Sequence, residues 1–148
     1  MKRFSFKLQK VLNYRETIED ALLSELAVIR KSYECELARL LDITALRDSF
    51  HDQMKRDLSC SDPEHIRRAY HYLQELSDQI SAQEVIVKRL AAQKDDKTRE
   101  VIRASRDRKV LEKLKEYKAD EHRRDILMED QMALDEAGAT RHRRNGAG

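Results

Sequence analysis

Glycine and proline are almost missing from this chain. The three glycines are Gly138, Gly146 and Gly148, and Pro63 is the sole proline. Without glycine there is no phosphate-cradling loop and no supply of left-handed turn positions. Tryptophan is absent and aromatics make up 5% of residues. With 39% of residues charged, that composition excludes a compact globule built around a large apolar core. No apolar run approaches the ~18 residues a membrane span needs. The opening Met1-Lys2-Arg3-Phe4-Ser5-Phe6 lacks a continuous apolar stretch and does not read as a signal peptide. Cys35 and Cys60 stand in no metal or redox spacing, so two free thiols in a cytoplasmic protein are expected. A dominant charge is lacking too. Thirty basic and 28 acidic residues leave a net charge of +2, which gives no bulk field for nucleic acid or an anionic membrane.

What remains is helix. Apolar residues recur regularly through a chain rich in Ala, Glu, Lys, Leu and Arg, which separates it from disorder. From Phe4 to Ala137 the only breaker is Ser59-Cys60-Ser61-Asp62-Pro63. Asp62 can cap a helix with Pro63 at its first position, or Ser61 can form a capping box with Glu64. Two long helices joined by so short a turn fold back on each other. The expected fold is all-α, a long antiparallel two-helix coiled-coil hairpin. Helix 1 spans about 5–58, the turn 59–62 and helix 2 about 63–137. Residues 138–148, with Arg141-His142-Arg143-Arg144, are expected to leave the helix at Gly138 as a disordered basic tail.

In the first arm Leu8, Val11 with Leu12, Ile18, Leu22, Leu26, Ile29, Tyr33, Leu37 and Leu40 step by three and four. Ile43, Leu46, Phe50, Met54 and Leu58 continue the seam more loosely. Arg15 falls inside it, either laying its stem along the seam or serving as a docking charge. Phe4 and Phe6 precede the seam, placed to cover the other arm or to meet a partner.

The second arm carries Ile66, Tyr70, Leu73, Leu76, Ile80, Val87, Leu90 and Ala91, then Val101, Leu111, Leu114, Leu127, Met128 and Met132. Between Ala92 and Arg108 the stripe thins. There Lys94, Lys97, Arg99, Arg103, Arg106, Arg108 and Lys109 read as a solvated face. A nucleic-acid groove is disfavoured, because acids dilute the run and no aromatic is interleaved for stacking.

The arms differ in length, ~75 Å against ~110 Å at ~1.5 Å per residue. Beyond about Tyr117 the second arm has little first-arm partner. Yet Ile126, Leu127, Met128, Met132, Ala133 and Leu134 lie there, an apolar overhang that implies another protein or self-association.

Catalytic constellations are missing. His51, His65, His71, His122 and His142 lie apart, no His-Glu-x-x-His occurs, and a two-helix rod has no water-excluding pocket. No enzyme activity, cofactor or metal is expected. Two arms sharing one narrow seam also predict modest stability.

The stretch Phe4-Ser5-Phe6-Lys7-Leu8-Gln9-Lys10-Val11-Leu12-Asn13-Tyr14-Arg15-Glu16 resembles the opening of the FliJ family of flagellar export proteins. Tyr70-His71-Tyr72-Leu73-Gln74-Glu75-Leu76 with Ile80 is similar to that family's segment after the turn. Leu111-Glu112-Lys113-Leu114-Lys115 and Asp135-Glu136-Ala137 resemble its closing signatures. The resemblance spans the chain in register. It implies a cytoplasmic, non-enzymatic stalk of the flagellar type III export apparatus, similar to the stalk subunit of rotary ATPases. The implied partners are the hexameric flagellar export ATPase, the cytoplasmic domain of the export gate membrane protein and escort chaperones, with no nucleic acid and no direct membrane insertion.

By the same resemblance Phe6, Leu8, Leu12, Arg15, Glu16, Leu111, Leu114, Met132, Asp135 and Glu136 would face the ATPase ring. Tyr72, Leu76, Gln79 and Gln83 share a helical side and would meet the export gate. For Leu76 a place in the seam is the competing expectation. The alternatives are an injectisome stalk, a self-associating coiled-coil scaffold and a basic nucleic-acid binder.

Overall fold

A computed structural model describes residues 3–57 and 62–147. Two helices pack against each other as an all-α hairpin, α1 over Gln9–Asp57 and α2 over Pro63–Asn145. Residues 3–6 are non-helical, and α1 begins when the Leu12 amide bonds the Leu8 carbonyl at 2.9 Å. Lys55 and Arg56 close α1, where cations complement the negative end of the helix dipole. Pro63 opens α2 as expected, since its missing amide costs nothing at the first helical position. The Ile66 amide then bonds the Asp62 carbonyl at 3.1 Å. Most of the expected turn, residues 59–61, lies outside the described residues.

The C-terminal expectation is corrected. α2 does not end at Gly138 but runs on to Asn145. A glycine inside a helix costs only ~1 kcal/mol against alanine, and here alanines flank it on both sides. His142, Arg143 and Arg144 occupy the last turn, where positive charge is favoured.

The chain forms two compact units. One is Asp20–Ile102; the other combines Met1–Glu19 with Arg103–Gly148. Inside Asp20–Ile102 the contacts climb one helix as they descend the other. Phe50 meets Tyr72, Glu36 meets Gln83, Tyr33 meets Lys94, and Glu25 meets Lys97. The pairing is therefore antiparallel.

The facing residues follow a strict alternation of three and four, the coiled-coil rule. On α1 the more covered positions of this unit are Leu22, Leu26, Ile29, Tyr33, Glu36, Leu40, Ile43, Arg47, Phe50 and Met54. On α2 they are Ile66, Ala69, Leu73, Leu76, Ile80, Gln83, Val87, Leu90, Lys94, Lys97 and Val101. No described side chain is completely buried, because each has one neighbouring helix and water on its other flank.

In the second unit Arg15 meets Asp107, Glu19 meets Arg108, and the Phe4 ring lies 5.8 Å from that of His122. Its seam holds Leu12, Arg15 and Glu19 on α1 against Ala104, Arg108 and Leu111 on α2.

Candidate functional site

The thinned stripe between Ala92 and Arg108 is not simply a solvated face. Arg99, Arg103, Arg106 and Lys109 are exposed, but Lys94, Lys97 and Arg108 occupy seam positions. Each reaches a partner on α1. The Lys94 ammonium sits 4.1 Å above the Tyr33 ring, a cation–π contact. Lys97 Nζ donates to Glu25 at 2.7 Å and to Glu100 at 3.0 Å, and these bonds, Glu25 first, hold its pKa above the ordinary lysine value. Arg108 binds Glu19 and Glu112, which raise its pKa in that order. The reason is geometric: a long stem crosses the narrow seam and delivers its charge to the opposite flank. The signal for Glu19, Glu36, Gln83, Lys97 and Arg108 was the three-four step itself, continued through polar residues.

Of the residues resembling gate contacts, Tyr72 and Gln79 are exposed. Leu76 retains 3% exposure and Gln83 6%. Gln83 Nε2 donates to the Glu36 carbonyl at 3.0 Å and to its carboxylate. Both side chains are held between the helices, Leu76 in the seam. The Tyr72 ring stands edge-on to Phe50, centroids 4.7 Å apart, beside a groove lined by Met54, Ile66 and Ala69.

The residues resembling ring contacts all fall in the unit of Met1–Glu19 and Arg103–Gly148. They do not share one surface. Leu12 is buried at 3% exposure, and Leu111 is half-buried beneath the same seam. Arg15 pairs with Asp107 at 3.4 Å, both side chains well exposed, an ion pair worth little in water. Glu16 is exposed and Phe6 half-buried. Leu8 and Leu114 border a groove of ≈ 760 Å³ together with Phe4, Phe6, Lys118 and His122. Lys118 pairs with Glu121 at 2.7 Å, and that hydrogen bond raises its pKa.

This groove corrects the expected overhang. Uncovered α2 does not begin near Tyr117, because the segment before α1 reaches along it to His122, where the Phe4 ring packs. Non-helical chain advances up to ~3.3 Å per residue against ~1.5 Å for helix, so a short leader covers more than twice its helical length. Past that point Leu127, Met128, Met132 and Leu134 are 61–68% exposed. Asp135 Oδ1 accepts from Gln131 Nε2 at 2.9 Å, and the Glu136 carbonyl accepts from Thr140 Oγ1 at 2.8 Å. Both are contacts within α2.

Among the described residues no group of His, Cys, Asp or Glu is arranged to hold a metal. No helix of the described chain is long and apolar enough to cross a membrane. The arrangement offers surfaces for recognition: a covered seam, a groove under the phenylalanines and a bare apolar end of α2.

No curated protein and no solved structure matches the chain. The family model described as flagellar FliJ protein matches residues 4–147, which takes in the phenylalanine leader, both helices and the bare end of α2. The chain therefore belongs to the FliJ family, components of flagellar type III protein export.

Proposed function

We propose that this chain is the non-enzymatic central stalk of the flagellar export machine. The unit carrying Phe6, Leu8, Leu114 and Met132 docks in the central opening of the hexameric export ATPase. The observation that carries this reading is the bare stretch of α2: Leu127, Met128, Met132 and Leu134 stand 61–68% exposed. A helix with apolar residues on more than one side suits a socket that surrounds it better than a partner on one flank. Arg15, Glu16, Asp135 and Glu136 supply charges around that contact.

The unit Asp20–Ile102 reaches the export gate through Tyr72 and Gln79, with Phe50 and the groove beside it forming the apolar part of the contact. Escort chaperones bind the exposed helix faces, and the stalk works at the cytoplasmic face of the membrane.

Cosedimentation with the purified hexameric ATPase tests the ring contact. Wild type is expected to comigrate, with Met132→Asp and Phe6→Ala weakened. Equal binding by all three overturns the reading. Sedimentation of the chain alone tests the self-paired scaffold: a monomer is expected, and a tight dimer lost in Met132→Asp would mean that a second copy covers the bare stretch.

A further inference from the structure

Apart from the bare end of α2, the unit of Met1–Glu19 and Arg103–Gly148 has a second apolar face. With Leu12 and Glu19 set as position a and Arg15 as d, Val11 and Ile18 fall at g and Tyr14 at c. With Arg108 as a and Leu111 as d on α2, Leu114 falls at g, and Val110 and Tyr117 at c. In an antiparallel pair the g positions of both helices flank the same side of the seam, with c beside them. The register agrees, because the Arg15–Asp107 ion pair and the groove shared by Leu8 and Leu114 bracket this region. Val11, Tyr14, Val110, Leu114 and Tyr117, 37–67% exposed, thus form one continuous strip across two helices.

The rim of this strip is basic. Lys7 on the leader, Lys10 at f on α1, and Arg103, Arg106 and Lys113 at c and f on α2 are exposed. None of these five makes an ion pair in the structure, whereas most of the neighbouring acids are already engaged, Asp107 with Arg15, Glu121 with Lys118 and Asp120 with Arg123; Glu116, at b beside Lys113, is the exposed acid that makes no ion pair. Asp125, at the edge of the leader groove, acts on Lys118 at longer range. We infer that this face binds an amphipathic helix of a partner protein whose apolar stripe is edged with acidic residues, docking along the strip as a third helix. A two-helix strip with a polar rim has the anatomy of helix-in-groove recognition. The unpaired cations set the sign of the partner. They also disfavour a second copy of this chain, which would bring the same basic rim against itself.

The probe is a synthetic amphipathic peptide of about three heptads, leucine on its stripe, glutamate elsewhere and one tryptophan among the leucines. The chain has no tryptophan, so the shift in emission on titration into the full-length protein belongs to the peptide. Binding that weakens with added salt is expected. A lysine counterpart should bind about tenfold or more weakly, and Val110→Asp or Tyr14→Ser should weaken the glutamate peptide by about as much. Both positions are exposed, so far-UV circular dichroism should show unchanged helicity. Met132→Asp should bind the peptide as wild type does, which separates this face from the bare end of α2, Leu114 being shared with the proposed ring contact. Absence of binding, equal binding of both peptides, or indifference to Val110→Asp overturns the inference. So does self-association of the chain that Val110→Asp abolishes.

Discussion

The two units use similar sequence to opposite ends. Asp20–Ile102 turns Leu22, Leu26, Ile29, Leu40 and Ile43 of α1 inward, and Leu73, Leu76, Ile80, Val87 and Leu90 of α2 inward against them. Polar residues enter that seam as guests: Gln83 on Glu36, Lys97 on Glu25, Lys94 over Tyr33. In the other unit the seam alternates apolar Leu12, Ala104 and Leu111 with charge: Arg108 lies between Glu19 and Glu112, and Arg15 lies on Asp107. Leu12 and Ala104 stay covered there, while Val11, Tyr14, Val110, Tyr117, Leu127 and Met132 stand outside; Asp20–Ile102 exposes large apolar residues as well, Val28, Leu41 and Val85 among them, but keeps an apolar seam beneath them. Apolar area turned inward stabilises the chain, and apolar area left outside is available to partners.

The largest test of that contrast is Leu76→Ala. Removing a side chain from a seam with 3% exposure should destabilise the protein by about 2–4 kcal/mol, read from the thermal or urea midpoint. An effect no larger than that of an exposed site would break the comparison.

A smaller loss is expected for Arg108→Ala, which strips the partner from Glu19, whose side chain is only 13% exposed. Its midpoint should fall clearly further than that of Arg103→Ala, since Arg103 is exposed and makes no ion pair. Equal midpoints would mean that the ionic seam contributes nothing.

Smaller again is the alkaline limb. Lys97 has a folded-state pKa raised by Glu25 and Glu100. Its contribution to stability is therefore complete below the ordinary lysine value of ~10.4 and is lost as pH rises through the folded value. Unfolding midpoints measured from neutral pH upward should hold steady and then fall in that alkaline window. Lys97→Met should flatten this part of the decline. If the two curves stay parallel, Lys97 is not the group responsible.

The smallest effect belongs to the bare stretch. Met132→Asp should change stability by no more than about 0.5 kcal/mol, because its side chain is 63% exposed. A larger loss would show that the residue is covered in the isolated protein.

Much of the fold was legible because a helix needs only local information. One proline at Pro63 and no glycine before Gly138 left room for two helices and one reversal. Leu22, Leu26, Ile29, Tyr33 and Leu40 announced their face by spacing. The seam position of Lys97 was less legible, since a charge normally marks solvent and only the heptad frame carried through it says otherwise. Gln83 was a docking residue by the family resemblance, and spacing only set it on one helical side with Tyr72; it lies on the inner half of that side. Leu12 and Leu111 lie beneath the surface they were expected to form.

The order of residues alone determined two helices, the opening of the second at Pro63, and most of the apolar positions that line the seam, because backbone propensity and periodicity are properties of neighbours along the chain. Only tertiary packing decided that the phenylalanine leader reaches His122 on α2 and that Arg108 is clasped by Glu19. It also left Val11, Tyr14, Val110 and Tyr117 sharing one uncovered side. Those outcomes depend on the register between two helices, which brings together residues far apart in the chain.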